Sequence, residues 1–484
     1  MGGSLWRRVA AVLATALIFC SAAGSAQAQE EGENCLQADA PPIDAPPNPL
    51  RFGITPLTAG SAGASQLQPV PHDEDRDVTG ALGLRPEGKQ LVMRMNRMFM
   101  ADGVEGIKRY AKIVDRYAQA GLDSELQVRY HPPEDQVGDM AAWEKYVREA
   151  ARILGSRESV TALSITNEAN FTASSNTSDG GYAGVREAIV VGMVAARDEL
   201  DSIGREDVQL GFSFAWRWTP QSDRAFWEEI GRRATPEFRA ALDYVGVQVY
   251  PHLVWPPAPL PGRTAGDEIV EALTLLRNCY MPKAGLGNEV DLWVSENGYP
   301  TNLGRTEGSQ DESLRASIES VYEYSGTLGV TDYRWFNLRD NRTGGPDLFD
   351  SVGLMRDDYS EKPAYATFRE LVGSAGADRA PDAEGKTCRG RTATMDAPGR
   401  RVRGTKGTDV IVAGARADRV AGKGGDDVIC ALGGNDLVRG GPGDDLLVGG
   451  RGADRIAGAG GRDRCRGGRG RDSVERCEGR SSRR

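Results

Sequence analysis

The chain has 484 residues, which is too long for one small domain, so two or more domains are expected. The formal net charge is −10, but residues 373–484 carry +7 and residues 1–372 therefore carry −17. An acidic part followed by a basic part predicts two units with different partners, and the acidity of the first argues against nucleic acid as its substrate.

The first 28 residues are organised like a secretory signal peptide. Arg7 and Arg8 precede an apolar run from Val9 to Cys20, and small residues at 26 and 28 form a cleavage site. The run is too short to span a bilayer, and bulky Phe19 disfavours a lipid on Cys20. No later segment is apolar for long enough to cross. We therefore expect a soluble, secreted protein with no stable membrane insertion.

Export into an oxidising compartment permits disulfides. Besides Cys20 there are six cysteines, and none forms a C-x-x-C pair, so zinc is disfavoured. Six cysteines allow fifteen pairings. We expect three: Cys465–Cys477, which are close in sequence; Cys388–Cys430; and Cys35–Cys279, which would tie the N-terminus to the first domain.

Residues 29–49 are Pro-rich and polar and are interpreted as a tether. From Leu50 onward, strands and helices alternate. The predicted strands are Leu50–Thr55, Gln90–Met98, Leu126–His131, Val160–Asn170, Val208–Trp218, Tyr244–Tyr250, Leu292–Glu296 and Tyr333–Asn337. Helices are predicted from Ile107 to Ala118 and at 140–154, 183–203, 222–233, 266–278, 311–326 and 363–372. Residues 56–88 lack periodicity and predict a large loop.

Eight such βα units predict an α/β fold, a (β/α)₈ TIM barrel over residues 50–372. A doubly wound open sheet also alternates but rarely repeats eight times so evenly, and no G-x-G-x-x-G favours a nucleotide. Catalytic groups in such a barrel follow the strands at its C-terminal face. Glu168 ends the fourth strand and Glu296 ends the seventh, so we expect these two carboxylates to form the active site.

These residues resemble a known group, the clan A glycoside hydrolases. Asn167–Glu168 is similar to the clan's Asn-Glu motif at the fourth strand, and Glu296 in S-E-N-G to its nucleophile after the seventh. Tyr250 lies where the sixth strand reads H-x-Y-P, with Gln248 in place of the histidine. Trp335 is similar to the tryptophan of the eighth strand.

The resemblance implies retaining hydrolysis, which uses two carboxyls about 5–5.5 Å apart. Glu168, kept protonated by burial and by its neighbour's charge, would be the acid/base, and ionised Glu296 the nucleophile. Asn167 would bind the sugar 2-hydroxyl. Tyr250 and an arginine of the second strand would keep Glu296 ionised; we prefer Arg97, with Arg94 on the opposite face of that strand as the alternative. No catalytic cofactor is expected.

Other side chains give weaker predictions. His131, at the end of the third strand, is predicted to contact the sugar or to be structural. The tryptophans at strand ends and in loops could stack on sugar faces or fill the core: Trp216, Trp218, Trp255 and Trp335. The absence of H-E-x-x-H and G-x-S-x-G argues against a zinc protease and a serine hydrolase.

After a linker at 373–403, the chain repeats every nine residues. Aspartate recurs at Asp409, Asp418, Asp427, Asp436, Asp445, Asp454, Asp463 and Asp472. A residue that is apolar or cysteine lies two positions after each, and glycine two before, except at Arg416. A flexible Gly-rich linker would not keep this register.

The repeat resembles the RTX, or hemolysin-type, nonapeptide G-G-x-G-x-D-x-U-x. The resemblance implies a parallel β-roll that binds Ca²⁺ between turns and folds only after export, because extracellular modules bind at roughly 10⁻⁴–10⁻³ M. The implied ligands are Asp409, Asp427, Asp436, Asp445, Asp454 and Asp463. Arg416 makes the second repeat, with Asp418, a doubtful ligand.

The sequence therefore predicts a secreted glycosidase that cleaves β-glycosidic bonds of a poly- or oligosaccharide and carries calcium-binding repeats. The predicted segments are 1–28, 29–49, 50–372, 373–403, 404–477 and a basic tail at 478–484. The alternative is a calcium-dependent surface protein whose barrel binds glycan without cleaving it, which the presence of both glutamates disfavours. The repeats could also serve only export and folding. The basic charge of the C-terminal part favours anionic cell-envelope polymers as partners.

Overall fold

The structure is a computed structural model. It describes residues 39–56, 74–172, 177–205, 207–216, 219–254, 256, 258–377, 387–389, 391–396, 401–414 and 417–483. The predicted signal peptide, Cys35, Trp218, Trp255 and Arg416 lie outside these ranges.

Eight parallel strands close into a barrel in sequence order, which confirms the predicted fold. They are β1 Arg51–Ile54, β2 Val92–Phe99, β3 Asp123–Arg129, β4 Val160–Ile165, β5 Gln209–Ala215, β6 Tyr244–Gln248, β7 Asp291–Asn297 and β8 Val330–Trp335. The pairing of β1 with β8, in which Gly53 lies opposite Arg334, closes the cylinder. All eight strands therefore end at one mouth of the barrel.

Helices surround the strands. They are α1 Glu74–Leu84, α2 Gly103–Gln119, α3 Met140–Gly155, α4 Val185–Ser202, α5 Pro220–Arg233, α6 Pro236–Ala241, α7 Ala265–Leu275, α8 Glu307–Leu328 and α9 Pro363–Ala375. The prediction of an irregular loop over 56–88 is wrong for its second half, because α1 lies there. Its buried side includes Asp77, which accepts a hydrogen bond from Tyr359, so the helix shows no clean apolar stripe.

The barrel has two different layers of side chains. Outward-facing strand residues such as Phe52, Leu126 and Val245 join the main hydrophobic core beneath the helices. Inward-facing residues are mostly glycine, polar or charged, and Arg334 of β8 reaches across the interior to Glu125 of β3 at 2.8 Å. Gly53 leaves the room for that arginine, since a Cβ there would lie 2.4 Å from its Cδ.

The C-terminal region forms two facing parallel sheets, as predicted for a β-roll. One sheet contains β11 Met395–Asp396, β13 Val410–Val412, β15 Val428–Cys430, β17 Leu446–Arg451, β19 Arg464–Arg469 and β21 Gly479–Arg483. The other contains β12 Arg401–Arg403, β14 Arg419–Ala421, β16 Leu437–Pro442, β18 Arg455–Gly460 and β20 Ser473–Glu475. A short hairpin, β9 Thr387–Cys388 and β10 Arg391–Thr392, precedes them.

Each turn of the roll contains 18 residues, two nonapeptides. Ile411 lies opposite Ile429, which lies opposite Leu447, which lies opposite Cys465. The predicted inward-facing residues form the core between the sheets: Ile411, Val420, Ile429, Val438, Leu447, Ile456 and Cys465, with Val474 partly buried against them.

Disulfides link Cys388 to Cys430 and Cys465 to Cys477, which confirms both predicted pairs. Cys279 is also disulfide-bonded. No helix in the described part of the chain is both long and apolar enough to cross a membrane.

The roll contacts the barrel through a buried ion pair. Arg401 of β12 places Nη2 2.6 and 2.5 Å from the two carboxylate oxygens of Asp243, and the arginine side chain is only 2% exposed. Asp243 directly precedes β6, so the contact lies at the amino-terminal mouth of the barrel. The roll therefore leaves the opposite mouth, where the strands end, uncovered by this contact.

Candidate active site and calcium sites

Glu296 lies at the end of β7, where the strand register is irregular between Val294 and Asn297. Such a β-bulge interrupts the alternation of side chains and re-aims the residue it contains. The Glu296 carboxylate accepts a hydrogen bond from Arg94 Nη1 at 2.7 Å on Oε1, and one from the Tyr250 hydroxyl at 2.7 Å on Oε2. Glu296 is 6% exposed, so both oxygens are held by donors in a buried setting.

Arg94 and Tyr250 both stay protonated, because the pKa of each is raised. Burial lowers the pKa of the Arg94 guanidinium, but the charges of Glu296 and Glu125 outweigh it, and the pKa is raised. Burial, together with the charge of Glu296, raises the pKa of Tyr250 well above its ordinary value. Both residues are therefore donors to Glu296 at neutral pH.

The preference for Arg97 as the partner of Glu296 is corrected in favour of Arg94. The pairing of β2 with β3 is irregular between Met95 and Met98, so faces assigned by simple alternation fail beyond that point. Arg94 lies fully buried inside the barrel. Arg97 instead packs over the ring of Phe99, with the guanidinium carbon 5.3 Å from the ring centroid.

Glu168 lies in a tight turn directly after β4. Thr166 and Glu168 have φ values of 68° and 46°, in the left-handed region that a β-branched residue such as threonine rarely adopts. Asp179 accepts a hydrogen bond from the Asn167 amide at 2.8 Å, and Ser213 Oγ accepts one from the Glu168 amide at 3.1 Å. Such strain persists where the surroundings fix the backbone, and it often marks a functional site.

Asp179 is a residue that the sequence analysis missed. It accepts hydrogen bonds from Arg129 Nε at 2.9 Å and from the amide of Tyr130, besides that of Asn167. Burial raises the pKa of Asp179, against the opposing effect of Arg129. No sequence pattern identified it, because it lies in a loop 11 residues after Glu168.

The Asn167 side chain is fixed in one orientation. Its Oδ1 accepts hydrogen bonds from Gln248 at 2.6 Å, from Gln127 at 2.8 Å and from Ser213 at 3.2 Å. Its Nδ2 donates to the Thr177 carbonyl at 2.7 Å. Gln248, in the position where a histidine was expected from the resemblance, thus acts as a donor to Asn167. Since Nδ2 carries two hydrogens, a second donation is available to a ligand.

The two glutamates act on a common neighbour. The charge of Glu168, after burial and the effects of Glu296, also contributes to the raised pKa of Tyr250. Tyr250 therefore lies within electrostatic reach of both carboxylates. The structure brings together four of the predicted site residues: Asn167, Glu168, Tyr250 and Glu296.

His131 lies farther out, after β3. Its Nε2 lies 2.8 Å from the Tyr182 hydroxyl, and its ring packs 4.7 Å from that of Phe99. Burial, helped by Arg129 and Arg97, lowers its pKa, so the imidazole is neutral at pH 7. His131 is partly buried, and contact with a sugar stays a prediction.

The aromatic surface at the mouth differs from the expected one. Trp335 is fully buried and donates to the Val352 carbonyl at 3.3 Å, so its ring presents no face to a ligand. The half-buried rings of Phe336 and Phe349 instead meet Tyr250 edge-on, at 6.3 and 5.4 Å between centroids. Of the two roles considered for Trp335, the structure supports a place in the core and contradicts a contact with substrate. Trp216 is 3% exposed and packs near Tyr280.

The roll contains two columns of buried aspartates, one for each sheet. In every column, Oδ1 of an aspartate accepts a hydrogen bond from the amide of the aspartate 18 residues earlier, as for Asp427 to Asp445 at 2.9 Å and Asp436 to Asp454 at 2.9 Å. The second oxygen, Oδ2, is buried and has no hydrogen-bond donor among the described residues in six of them: Asp427, Asp436, Asp445, Asp454, Asp463 and Asp472.

Five of the six open oxygens, those of Asp427, Asp445, Asp454, Asp463 and Asp472, face a glycine, which fits a cation site. A Cβ at Gly440 would lie 2.0 Å from Asp445 Oδ2, and one at Gly449 would lie 2.3 Å from Asp454 Oδ2. Burial raises the pKa of Asp436 to about 8 and that of Asp445 to about 7. Buried carboxylates with open oxygens suit Ca²⁺, a hard cation that takes carboxylate and carbonyl oxygens.

In the described part of the chain no three His, Cys, Asp or Glu side chains converge on one point, so carbonyl oxygens would have to complete each calcium site.

Two residues differ from their predicted roles as calcium ligands. Asp409 Oδ2 already accepts hydrogen bonds from the Thr405 amide and hydroxyl, at 2.6 and 3.0 Å, unlike the open oxygens. Asp472, which was not predicted as a ligand, has the open arrangement.

Residues 403–438 and 439–474 match the family described as RTX calcium-binding nonapeptide repeat (4 copies). A comparison with curated proteins gave no match.

Among solved structures, the chain is similar to the GH5_18 protein of Streptomyces cattleya in complex with GlcNAc, with 16% identity, coverage of 76% of this chain and 85% of that one, and a TM-score of 0.49. GH5_18 of Bifidobacterium longum is 14% identical, with coverage of 73% of this chain and 83% of that one and a TM-score of 0.48. A family 39 glycoside hydrolase of the gut symbiont Bacteroides cellulosilyticus is 14% identical, with coverage of 67% of this chain and 63% of that one and a TM-score of 0.43.

Proposed function

We propose that the barrel is a retaining glycoside hydrolase that cleaves β-glycosidic bonds of a poly- or oligosaccharide. The observation that carries this proposal is the setting of Glu296. Its two oxygens are held by Arg94 and Tyr250 at 2.7 Å each, at the end of β7, with Glu168 in a strained turn after β4. A pair of carboxyls flanking one site is the requirement of glycoside hydrolysis.

In the first step, a Glu296 oxygen attacks the anomeric carbon while the bond from that carbon to the leaving oxygen breaks. Glu168 gives its proton to the leaving oxygen, so the aglycone departs as a neutral alcohol. Arg94 and Tyr250 orient the attacking carboxylate. The product of this step is a glycosyl ester on Glu296.

In the second step, ionised Glu168 takes a proton from water, and the water oxygen bonds to the anomeric carbon as the ester bond to Glu296 breaks. Asn167 supplies its second Nδ2 hydrogen to the sugar 2-hydroxyl, because Thr177 takes the first and three donors fix the carboxamide. Phe336 and Phe349 provide apolar surface for the sugar ring. The two carboxyls need no cofactor.

The roll is proposed to bind Ca²⁺ through the open oxygens of Asp427, Asp436, Asp445, Asp454 and Asp463, supplemented by Asp472. Bound Ca²⁺ would neutralise these carboxylates and thereby stabilise the roll. The charge contact between roll and barrel lies at the amino-terminal mouth, so the calcium sites have a structural and not a catalytic role in this proposal.

We also propose that the protein is secreted, which the two disulfides of the roll support, and that the roll contacts anionic cell-envelope polymers. Residues 449–484 contain 11 arginines and no lysine. Several of these are exposed, among them Arg451, Arg455, Arg464 and Arg466. Guanidinium groups suit phosphate and carboxylate, so binding to such a polymer should weaken with added salt.

The experiment screens the purified protein, in millimolar calcium, on aryl β-glycosides and on plant and bacterial polysaccharides. Glu296→Ala should abolish turnover, and added azide should restore it with inversion of configuration. A 2-deoxy-2-fluoro glycoside should label the peptide that contains Glu296, as read by mass spectrometry. Glu144→Ala, on the exposed side of α3, is the matched control and should retain full activity.

If no substrate is turned over while wild type and Glu296→Ala bind glycan equally well, the barrel is a glycan-binding protein and the enzymatic proposal is wrong. Deleting residues 373–484 and measuring secretion and activity separately tests the roll. Loss of secretion with intact activity would assign it to export.

A further inference from the structure

A chain of alternating charges runs through the interior of the barrel from the site of Glu296 to the opposite mouth. Its members are, in order, Glu296, Arg94, Glu125, Arg334, Asp332 and Arg51. The closest atoms of successive members lie 2.7, 3.3, 2.8, 2.7 and 2.7 Å apart. The four central side chains are at most 1% exposed, so water screens their interactions very little.

Glu125 of β3 occupies the decisive place in this chain. One carboxylate oxygen lies 3.3 Å from Arg94 Nε, and the other accepts a hydrogen bond from Arg334 Nε at 2.8 Å. Arg94 thus lies between the carboxylates of Glu125 and Glu296 and interacts electrostatically with both. The Tyr244 hydroxyl is the other titratable group facing Glu125, and burial raises its pKa so far that it stays neutral.

We propose that Glu125 is a positioning residue that sets how much positive charge Arg94 presents to Glu296, and that Arg334 sets the same balance for Glu125. The inference deepens the proposed function, and its kinetic part rests on it. It assigns to the hydrolase a residue that does not touch substrate and lies one ion pair below the nucleophile.

The balance of charges around Arg94 changes in the course of the reaction. With Glu296 ionised, the chain contains three carboxylates and three guanidinium groups. When Glu296 forms the glycosyl ester, its negative charge is lost, and Arg94 retains Glu125 as its carboxylate partner. Glu125 therefore compensates the arginine in the covalent intermediate, which would otherwise leave a buried cation unpaired. In the free enzyme, Glu125 partly offsets the stabilisation of ionised Glu296 by Arg94.

The direction in which the acidic limb of the kcat/KM profile moves distinguishes this role of Glu125 from a merely structural one. In Glu125→Gln, Arg94 has only Glu296 as a carboxylate partner, so ionised Glu296 is stabilised and becomes a weaker nucleophile but a better leaving group. The acidic limb of the kcat/KM profile should move to lower pH by about one unit. Glycosylation should slow by about ten-fold, whereas deglycosylation should not slow. If Glu125 only held Arg94 in place, its loss would free the arginine and move the limb to higher pH.

Arg334→Gln provides the opposite perturbation. Glu125 then lacks its second cation and draws more of the charge of Arg94, so the acidic limb should move to higher pH. Asp332→Asn is the matched control, because Asp332 is equally buried and pairs with the same Arg334, but lies one step farther from Arg94. Its shift should be less than half of that in Glu125→Gln.

The experiment measures pH profiles of kcat/KM with aryl β-glycosides for the full-length wild type and the three variants, after far-UV circular dichroism has shown each to be folded. In parallel, carbon-13 NMR follows the titration of the Glu296 carboxyl, assigned by its disappearance in Glu296→Gln. Tyr250 and Glu168, the other groups near Glu296, are unchanged in all variants. If Glu125→Gln does not fold, the upward shift in Arg334→Gln carries the test.

Opposite shifts in Glu125→Gln and Arg334→Gln support the proposal. Shifts of the same sign, no shift, or a control shift as large as that of Glu125→Gln overturn it. The NMR titration needs no turnover, so an inactive wild type would refute the proposed hydrolase without deciding whether Glu125 controls the charge at Glu296.

Discussion

Calcium withdrawal should make the stability of the roll fall steeply as the pH rises. Burial raises the pKa of Asp427 to about 6, of Asp445 to about 7 and of Asp436 to about 8, from an ordinary value of 3.8. In each case the folded form binds its proton more tightly than the unfolded chain does. The stabilisation is therefore complete below pH 3.8 and is lost as the pH rises through 6 to 8.

The magnitude follows from these values. One pKa unit corresponds to about 1.4 kcal/mol, so ionising Asp436 in the calcium-free roll would cost ~6 kcal/mol, or ~3 kcal/mol after a discount for water that reaches the turns. The three carboxylates together then cost ~6 kcal/mol, comparable with the whole stability of a small domain. Near pH 6 the folded roll holds about two extra protons, which gives a slope of ~3 kcal/mol per pH unit before the same discount.

The assay is urea unfolding of the full-length protein freed of calcium by a chelating resin, at pH values from 5 to 8. Tryptophan fluorescence reports the barrel alone, since residues 373–484 contain no tryptophan. A transition in far-UV circular dichroism without a fluorescence change therefore belongs to the roll. It should be present at pH 5, absent at pH 8 and restored at pH 8 by millimolar calcium.

Two variants sharpen this test. Asp436→Asn should flatten the pH slope by about one proton. Asp444→Asn is the control, because Asp444 is exposed and its Oδ1 accepts the Arg462 amide, as an asparagine oxygen can. A calcium-free roll that is equally stable at pH 5 and pH 8, or more stable at pH 8, would refute the reasoning.

Two further predictions concern the barrel. Asp243→Asn removes the partner of buried Arg401 and should lower the free energy of unfolding by ~3–5 kcal/mol in urea titrations followed by fluorescence. Burial acts to raise the pKa of Asp243, but the charges of Arg401, Arg419 and Arg197 outweigh it, and the pKa is lowered. In wild type, the stabilisation by this ion pair should therefore fade on acidification. An unchanged urea midpoint of unfolding in the variant would contradict the ion pair. Asp179→Asn removes the carboxylate that pairs with Arg129 and weakens the hold on the Asn167 amide, so kcat should fall by about 100-fold with less effect on KM. Equal kcat in a folded variant would show that the turn does not depend on Asp179.

The sequence predicted the architecture because two periodicities are visible in it. Eight alternations of strand and helix lead to a closed barrel, and the nine-residue repeat leads to two sheets with an 18-residue turn. The ends of β4 and β7 were predictable in the same way, since each apolar run stops at a glutamate. Helix α1 escaped prediction because its buried side includes glycine and aspartate in place of a continuous apolar stripe.

What the sequence by itself determined, then, is which strands form the barrel, where Glu168 and Glu296 lie along them, and which aspartates share a column in the roll. Only the tertiary structure decided that Arg94 and not Arg97 meets Glu296, that Trp335 is buried while Phe336 reaches the mouth, and that Glu125 lies beneath Arg94. The reason is physical: repeats arise from local backbone geometry, whereas bulges in β2 and β7 break the alternation of faces, and contacts across a closed barrel join residues far apart in sequence.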